Sequence, residues 1–217
     1  MPAARREILA HVRAALGDVP PGEAPGDVPV ERGYRTRDDA PADERIDRFA
    51  ERVEEYEASV RRVDAGQVGA AIATACAARR ARRLVIPHDL PTEWRPDGVE
   101  LVADGTGAPL DHATLDGLDG ALTGCALGIA ETGTIVLDSG AGQGRRVITL
   151  LPDYHLCVVG VDQVVGSVPE AVAALAGAVA AGRPLTWISG PSATSDIELD
   201  RVEGVHGPRT LDVLLVS

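Results

Sequence analysis

The stretch HLCVVGVDQVVGSVPEAVAALAGAVAAGRPLTWIS at residues 155–189 decides the fold class. Residues 155–160 form a short apolar run, which is typical of a strand buried in a parallel sheet. Residues 168–181 are rich in Ala and Val and are followed by Gly182, which predicts a helix. The apolar run at 185–189 predicts the next strand. A strand, a helix and a strand in succession indicate an α/β domain with a largely parallel sheet.

The same alternation extends outward on both sides of this stretch. A helix is predicted over residues 65–79, with Asp64 and Gln67 at the spacing of a capping box. Short apolar or extended runs predict further strands at 59–63, 84–87, 99–102, 120–123, 134–138 and 211–216.

The N-terminal part of the chain has a different composition. Amphipathic helices are predicted at residues 4–16 and about 42–57, on either side of a proline-rich segment at 18–42 that is typical of a linker or an extended arm. The second helix either packs on the main body or forms a dimer contact, so a homodimer stays open. We expect an N-terminal region of helices and arm at 1–57 and an α/β domain at 58–217.

Composition and charge exclude several classes of function. The 217 residues carry a net charge of −12, which argues against binding to the phosphate backbone of nucleic acids. The sequence contains no Lys, which excludes Schiff-base chemistry and a P-loop lysine. No apolar run is long enough to span a membrane, and charges occupy the place of a signal peptide's apolar stretch, so we expect a cytoplasmic protein.

The sequence contains no recognisable metal-binding pattern. Its three cysteines are widely spaced without a C-x-x-C, and its histidines show no H-x-x-x-H spacing. We therefore predict no metal site and no iron–sulfur cluster in this chain.

Two glycine-containing segments near predicted strand ends are the first candidates for chemistry. In 128–134, Glu131 suits acid–base or nucleophilic work if it is partly desolvated, or it accepts hydrogen bonds from the turn formed by Thr132, Gly133 and Thr134. In 139–146, glycines that include Gly142 form either an anion-binding nest supported by Arg145 or Arg146, or a flexible turn.

Two further candidates lie near the C-terminal end. After Gly190, hydroxyl and acidic residues open what resembles a helical turn, which is either an anion site or a simple N-cap; they are Ser192, Thr194 and Asp196. His206 lies between two glycines in a turn and is a candidate acid, base or anion contact. We predict that Glu131, Ser192, Asp196 and His206 share one cleft.

These same segments resemble the LUD-domain family. The likeness is carried by GCALGIAETGTIVL at 124–137, GPSATSDIE at 190–198 and GVHGP at 204–208, and ARREILAHVRAAL at 4–16 resembles the family's N-terminus. The resemblance implies a three-layer α/β/α sandwich of the NagB/RpiA/CoA-transferase-like type with an N-terminal helical extension. It also implies a part in oxidation of L-lactate to pyruvate, in a cytoplasmic complex whose iron–sulfur clusters belong to a partner protein.

Three hypotheses for function follow. The first is a subunit of such a complex that binds a small carboxylate or another anionic metabolite. The second is an enzyme acting alone, transferring an acyl group or acting on a phosphorylated metabolite through Glu131, because Glu131-Thr132-Gly133 resembles the Glu-x-Gly segment of some CoA transferases apart from Thr at the central position. The third is a scaffold or regulatory protein whose N-terminal helices dock partners.

Overall fold

The computed structural model describes residues 3–20, 22–27, 29–31, 33–105, 107–195, 201–203 and 207–217. The chain divides into two compact units, Met1–Tyr34 and Arg35–Ser217. In the first unit, helix α1 spans Ala3–Ala15, as predicted, and none of its residues is buried. The boundary after Tyr34 differs from the predicted division at residue 57, because the next helix belongs to the second unit.

The second unit alternates strands and helices, as the apolar runs predict. Its helices are α2 (Ala42–Glu55), α3 (Val68–Arg79), α4 (His112–Asp116), α5 (Val168–Ala174) and α6 (Ala176–Ala180). Its strands are β1 (Ser59–Val63), β2 (Arg83–Pro87), β3 (Glu100–Asp104), β4 (Gly120–Thr123), β5 (Leu127–Ile129), β6 (Thr134–Leu137), β7 (Tyr154–Gly160), β8 (Val164–Val165), β9 (Thr186–Ile188), β10 (Ala193–Ser195), β11 (Arg201–Glu203) and β12 (Thr210–Val216).

A six-stranded sheet forms the centre of the second unit. Its strand order is β1-β12-β7-β4-β2-β3, and every neighbouring pair is parallel. Alternate side chains of a strand point to opposite faces, and both faces of this sheet are apolar. Leu156 and Val158 of β7 pack with α3 on one face, while Cys157 and Val159 pack with α2 on the other. The α/β class is thus confirmed, and the NagB/RpiA/CoA-transferase-like type is compatible with it.

A four-stranded sheet, β8-β5-β6-β9, lies over one face of the six-stranded sheet. Ile135 and Leu137 of β6 join the core between the two sheets, and Val136 faces the opposite way, toward Ala171 of α5. Strands β5 and β8 are absent from the sequence prediction. They are short, and β5 includes Gly128, which a strand pattern does not favour.

Several local predictions need correction. Residues after Ser192 form strand β10, paired antiparallel with β11, rather than a helical turn. The predicted 65–79 helix begins as a 3₁₀ turn at Ala65–Gln67, and Asp64 makes no side-chain capping bond there. The predicted 168–181 helix is divided into α5 and α6 at Leu175. Within the described residues, no helix is both long and apolar enough to cross a membrane.

Candidate functional site

A glycine-rich loop at residues 139–146 follows β6 and contains the candidate site residues Gly142, Arg145 and Arg146. Asp138 orders its first half, because its carboxylate accepts hydrogen bonds from the Gly140 amide (3.0 Å) and from Nε2 of Gln143 (2.9 Å). The Gly142 amide donates to the Asp89 carboxylate at 3.1 Å. These two glycine amides are therefore already used within the protein and do not form an open nest.

Arg145 is held by its neighbours rather than offered to a ligand. Its Nε and Nη2 donate to the two carboxylate oxygens of Asp104 at 2.7 and 2.6 Å, and Nη2 also donates to the Leu110 carbonyl at 3.1 Å. The hydrogen bonds from Arg145 hold the pKa of Asp104 below its usual value. This bidentate pair anchors the glycine-rich loop to the carboxyl end of β3.

Arg146 has a different environment from its neighbour. Its guanidinium forms no ion pair with any carboxylate of the described residues, and Nη1 donates a long hydrogen bond (3.3 Å) to Oγ1 of Thr149. Burial lowers the pKa of Arg146, which means that its charge is incompletely solvated. A partly buried cation without a counter-ion is a natural contact for an anionic ligand.

Arg146 lines two cavities. The larger one, about 540 Å³, lies at the carboxyl ends of β2 and β3, where ligands commonly bind in α/β sheets. Its wall contains the acids Asp89 and Asp104 as well as Arg145 and residues of the glycine-rich loop. Because their negative charges repel an anion, this cavity is unfavourable for a small anion unless the anion makes other contacts.

The smaller cavity has a volume of about 230 Å³ and contains no acidic residue among its described lining. It lies between the amino ends of β7 and β12 and the segment that follows β9. Its lining residues are Arg146, Thr149, His155, Thr186, Trp187, Ile188, Ser189, Gly190, Pro191, Ser192, Gly207, Pro208 and Leu211. This set of described lining groups, a cation, hydroxyl groups and an imidazole, suits a small carboxylate.

His155 is a buried member of this lining, with 1% of its surface exposed. Its Nε2 lies 2.8 Å from Oγ1 of Thr123, a buried residue on the neighbouring strand β4. Burial, together with the nearby positive charge of Arg146, lowers the pKa of His155 to about 4. The imidazole is therefore neutral at physiological pH.

The predicted site residues are only partly brought together. Gly190 and Ser192 line the smaller cavity, and Thr132 and Thr134 reach its wall through a chain of hydroxyls. Oγ1 of Thr132 lies 2.7 Å from Oγ1 of Thr134, which lies 2.8 Å from Oγ of Ser189. The backbone of Thr194 is part of β10. Asp196 and His206 lie outside the described residues, so their place in a shared cleft stays a prediction.

Glu131 occupies the turn between β5 and β6 and lines neither of these cavities. Its side chain is 48% exposed and lies 3.9 Å from Nη2 of Arg35. Gly133, in the same turn, has a positive φ of 61° and packs against the backbone of α2. The role of Glu131 as a nucleophile stays a prediction, which mass spectrometry after incubation with acyl-CoA would test.

The cysteines are all free and buried. A hydrogen bond with Cys157, together with burial, raises the pKa of Cys125 well above its usual value. Burial raises the pKa of Cys76 to about 11. Thiols in this state are protonated and are weak nucleophiles. In the described portion of the chain, no group of three or more His, Cys, Asp or Glu side chains is placed to hold a metal ion.

Sequence reasoning missed His155, Thr149 and Thr123 as site residues. One signal was present, because a histidine inside a run that predicts a buried strand must itself be buried. No sequence signal indicates that Thr149 and Thr123, from different elements, lie near the same imidazole.

Comparison with known proteins shows a consistent set of relatives. The LUD domain family matches residues 112–216. A Deinococcus radiodurans protein named lactate utilization protein C is 46% identical over 215 residues, which cover 99% of this chain and 96% of that protein. An Escherichia coli protein named uncharacterized protein YkgG is 40% identical over 94 residues, covering 42% of this chain and 40% of that one.

A solved structure also matches. It is the crystal structure of a DUF162 family protein from Deinococcus radiodurans at 1.70 Å resolution, with a TM-score of 0.72 and 43% sequence identity. The match covers 82% of this chain and 99% of the crystallised chain.

Proposed function

The chain belongs to the lactate utilization protein C family of LUD-domain proteins, and from this premise we propose that it acts in lactate utilization by binding a small carboxylate such as lactate or pyruvate. The names of its relatives support the process. The chemistry of the smaller cavity supports the ligand class, since both lactate and pyruvate are small monocarboxylates.

Arg146 is the observation that carries the proposal. It is partly buried beside a cavity whose described lining contains no acid, and it lacks a carboxylate partner among the described residues. In a chain with a net charge of −12, an anion needs a local positive group to bind. A ligand carboxylate on Arg146 would form charge-assisted hydrogen bonds and supply the missing counter-charge.

The surrounding groups fit a small ligand rather than a large one. At about 230 Å³, the cavity suits a three-carbon acid and is too small for a nucleotide. The Thr149 hydroxyl accepts a hydrogen bond from the Arg146 guanidinium, and Ser189 lines the same cavity. The exposed Trp187 provides an apolar wall and, because it lines the cavity, a fluorescent reporter of occupancy.

We also propose that the chain works in a complex whose iron–sulfur partner proteins carry the electrons. The family resemblance implies this division, and the wide spacing of the three cysteines in the sequence agrees with it. Purification of the assembled complex, followed by absorption spectra of each separated subunit, tests it. A visible iron–sulfur spectrum in this chain alone would contradict the division.

Titration calorimetry with L-lactate and pyruvate tests the carboxylate site. We expect binding by the wild type and a loss of about tenfold to a hundredfold in affinity for Arg146→Gln, because a hydrogen bond to a charged group contributes about 1.5–3 kcal/mol. Tryptophan fluorescence provides a second readout, measured in a Trp94→Phe background so that Trp187 is the emitter.

Arg62→Gln is the matched control. Arg62 pairs with Asp47 on the exposed surface and lines neither of the two cavities of the site. It should bind lactate as the wild type does. Absence of binding by the wild type, both alone and with its partners, or unchanged affinity in Arg146→Gln, would overturn the proposed site.

A further inference from the structure

A second polar group stands beside the proposed carboxylate contact. His155 lines the same cavity as Arg146 but comes from the core strand β7, between buried apolar neighbours. The two residues therefore approach one space from different elements. Arg146 supplies charge, whereas the imidazole supplies a directional hydrogen bond without charge.

The hydrogen bonding of His155 leaves one ring nitrogen for a ligand. Nε2 is occupied by Oγ1 of Thr123 at 2.8 Å, which fixes the orientation of the ring. Nδ1 has no hydrogen-bond partner among the described residues. Because His155 lines the cavity, a ligand there can supply the hydrogen-bond partner that Nδ1 does not find in the protein.

The charge state of the ring suits this role. Since burial and the nearby Arg146 lower the pKa of His155 to about 4, the ring does not repel Arg146 near neutral pH. A neutral imidazole can present Nδ1 as a donor or an acceptor, depending on its tautomer. It can thus bind a hydroxyl group or a keto oxygen.

We propose that His155 is a specificity-determining residue that binds the oxygen on carbon 2 of a 2-hydroxy or 2-oxo carboxylate whose carboxylate group lies on Arg146. This inference rests on the proposed function and narrows its ligand class. Thr123 is a positioning residue, because it acts through the imidazole. A simple fatty acid of the same length has the carboxylate but lacks the second contact.

The test compares L-lactate with propionate, which differs by the 2-hydroxyl group, in the full-length protein. The wild type should prefer L-lactate by roughly fivefold to tenfold, the ratio that one hydrogen bond provides. His155→Asn places an amide near the position of Nδ1 and should keep much of this preference. His155→Gln places its amide near Nε2, retains the bond to Thr123 and should lose the preference while still binding propionate.

Each contrary result has a distinct meaning. Equal affinities of the wild type for both acids, or an undiminished preference in His155→Gln, overturns the role of His155 and leaves the Arg146 site intact. Failure of the wild type to bind either acid overturns the proposed function itself.

Imidazole NMR of the wild type gives an answer that does not depend on whether the variants fold. L-lactate should shift the Nδ1 resonance of His155, and propionate should not. Equal shifts with the two acids would contradict the inference.

Discussion

Arg145 and Arg146 are adjacent and chemically identical, yet their surroundings give them different roles. The Asp104 carboxylate, buried at the end of β3, accepts hydrogen bonds from both Nε and Nη2 of Arg145. Arg146 begins a 3₁₀ turn that leads to β7, and among the described residues its guanidinium donates a hydrogen bond only to the Thr149 hydroxyl. The first arginine therefore stabilises the loop, while the second is the contact that we propose for an anion.

The pKa of His155 predicts a specific dependence of stability on pH. The folded protein holds the imidazole neutral down to a pKa of about 4, whereas the unfolded chain takes up a proton below about 6.5. The unfolded state thus binds more protons between these values, and the free energy of unfolding falls as pH decreases through this window. We expect a loss of about 2 kcal/mol from this group between pH 7 and pH 5.

Urea unfolding of the wild type and of His155→Asn at both pH values measures this effect. The variant should lack the contribution, so its stability should change less between pH 7 and pH 5. The carboxyl group of Asp104, whose pKa is lowered by its bonds with Arg145, loses its contribution in a lower window, mainly below pH 4. An identical pH slope in the two proteins would contradict the assignment to His155.

Among the secondary-structure elements, those that bury long apolar runs were predictable from sequence. Strands β2, β7 and β12 are such runs, and their alternation of faces follows from strand geometry. Strand β5 was not predictable, because its three residues gain their strand conformation from pairing with β6 and β8. Arg145 illustrates the same limit at the site, since its partner Asp104 lies 41 residues away in sequence.

The turn between β5 and β6 packs closely against α2, so a side chain added in this turn should destabilise the protein. A Cβ atom at Gly133 would lie 2.6 Å from the carbonyl carbon of Arg52 and 2.7 Å from the amide nitrogen of Val53. Backbone atoms of a packed helix cannot yield cheaply, and φ is also positive. Gly133→Ala should lower the free energy of unfolding by about 3 kcal/mol or more, measured by urea titration.

Gly98→Ala is the matched control for backbone strain. Gly98 has a φ of 76°, and no atom lies within 4 Å of the position of its Cβ. This variant should cost about 1 kcal/mol, the effect of strain alone. Equal losses in the two variants would mean that α2 does not restrain the turn.

At the scale of the whole molecule, the hydrophobic core of the described residues belongs to the second unit. The four clusters of buried apolar residues all lie within Arg35–Ser217. Helix α2 is part of this core, since Phe49 and Val53 are fully buried against residues of both sheets. Its amphipathic pattern was visible in the sequence, but the choice between packing on the main body and forming a dimer depends on long-range contacts.

These contacts predict opposite outcomes for two truncations. Residues 35–217 should fold cooperatively, with a thermal midpoint within a few degrees of the full chain, because the removed α1 has no buried residue.

Residues 58–217 should not fold stably. Removing a buried Phe side chain alone costs about 3–5 kcal/mol, a large part of the usual 5–15 kcal/mol stability of a domain, and this truncation also removes Val53. Circular dichroism measures both outcomes, and Trp187 fluorescence shows whether 35–217 still binds lactate. A stable 58–217 would mean that α2 is dispensable for the core, whereas loss of lactate binding by a folded 35–217 would contradict the placement of the anion site within the second unit.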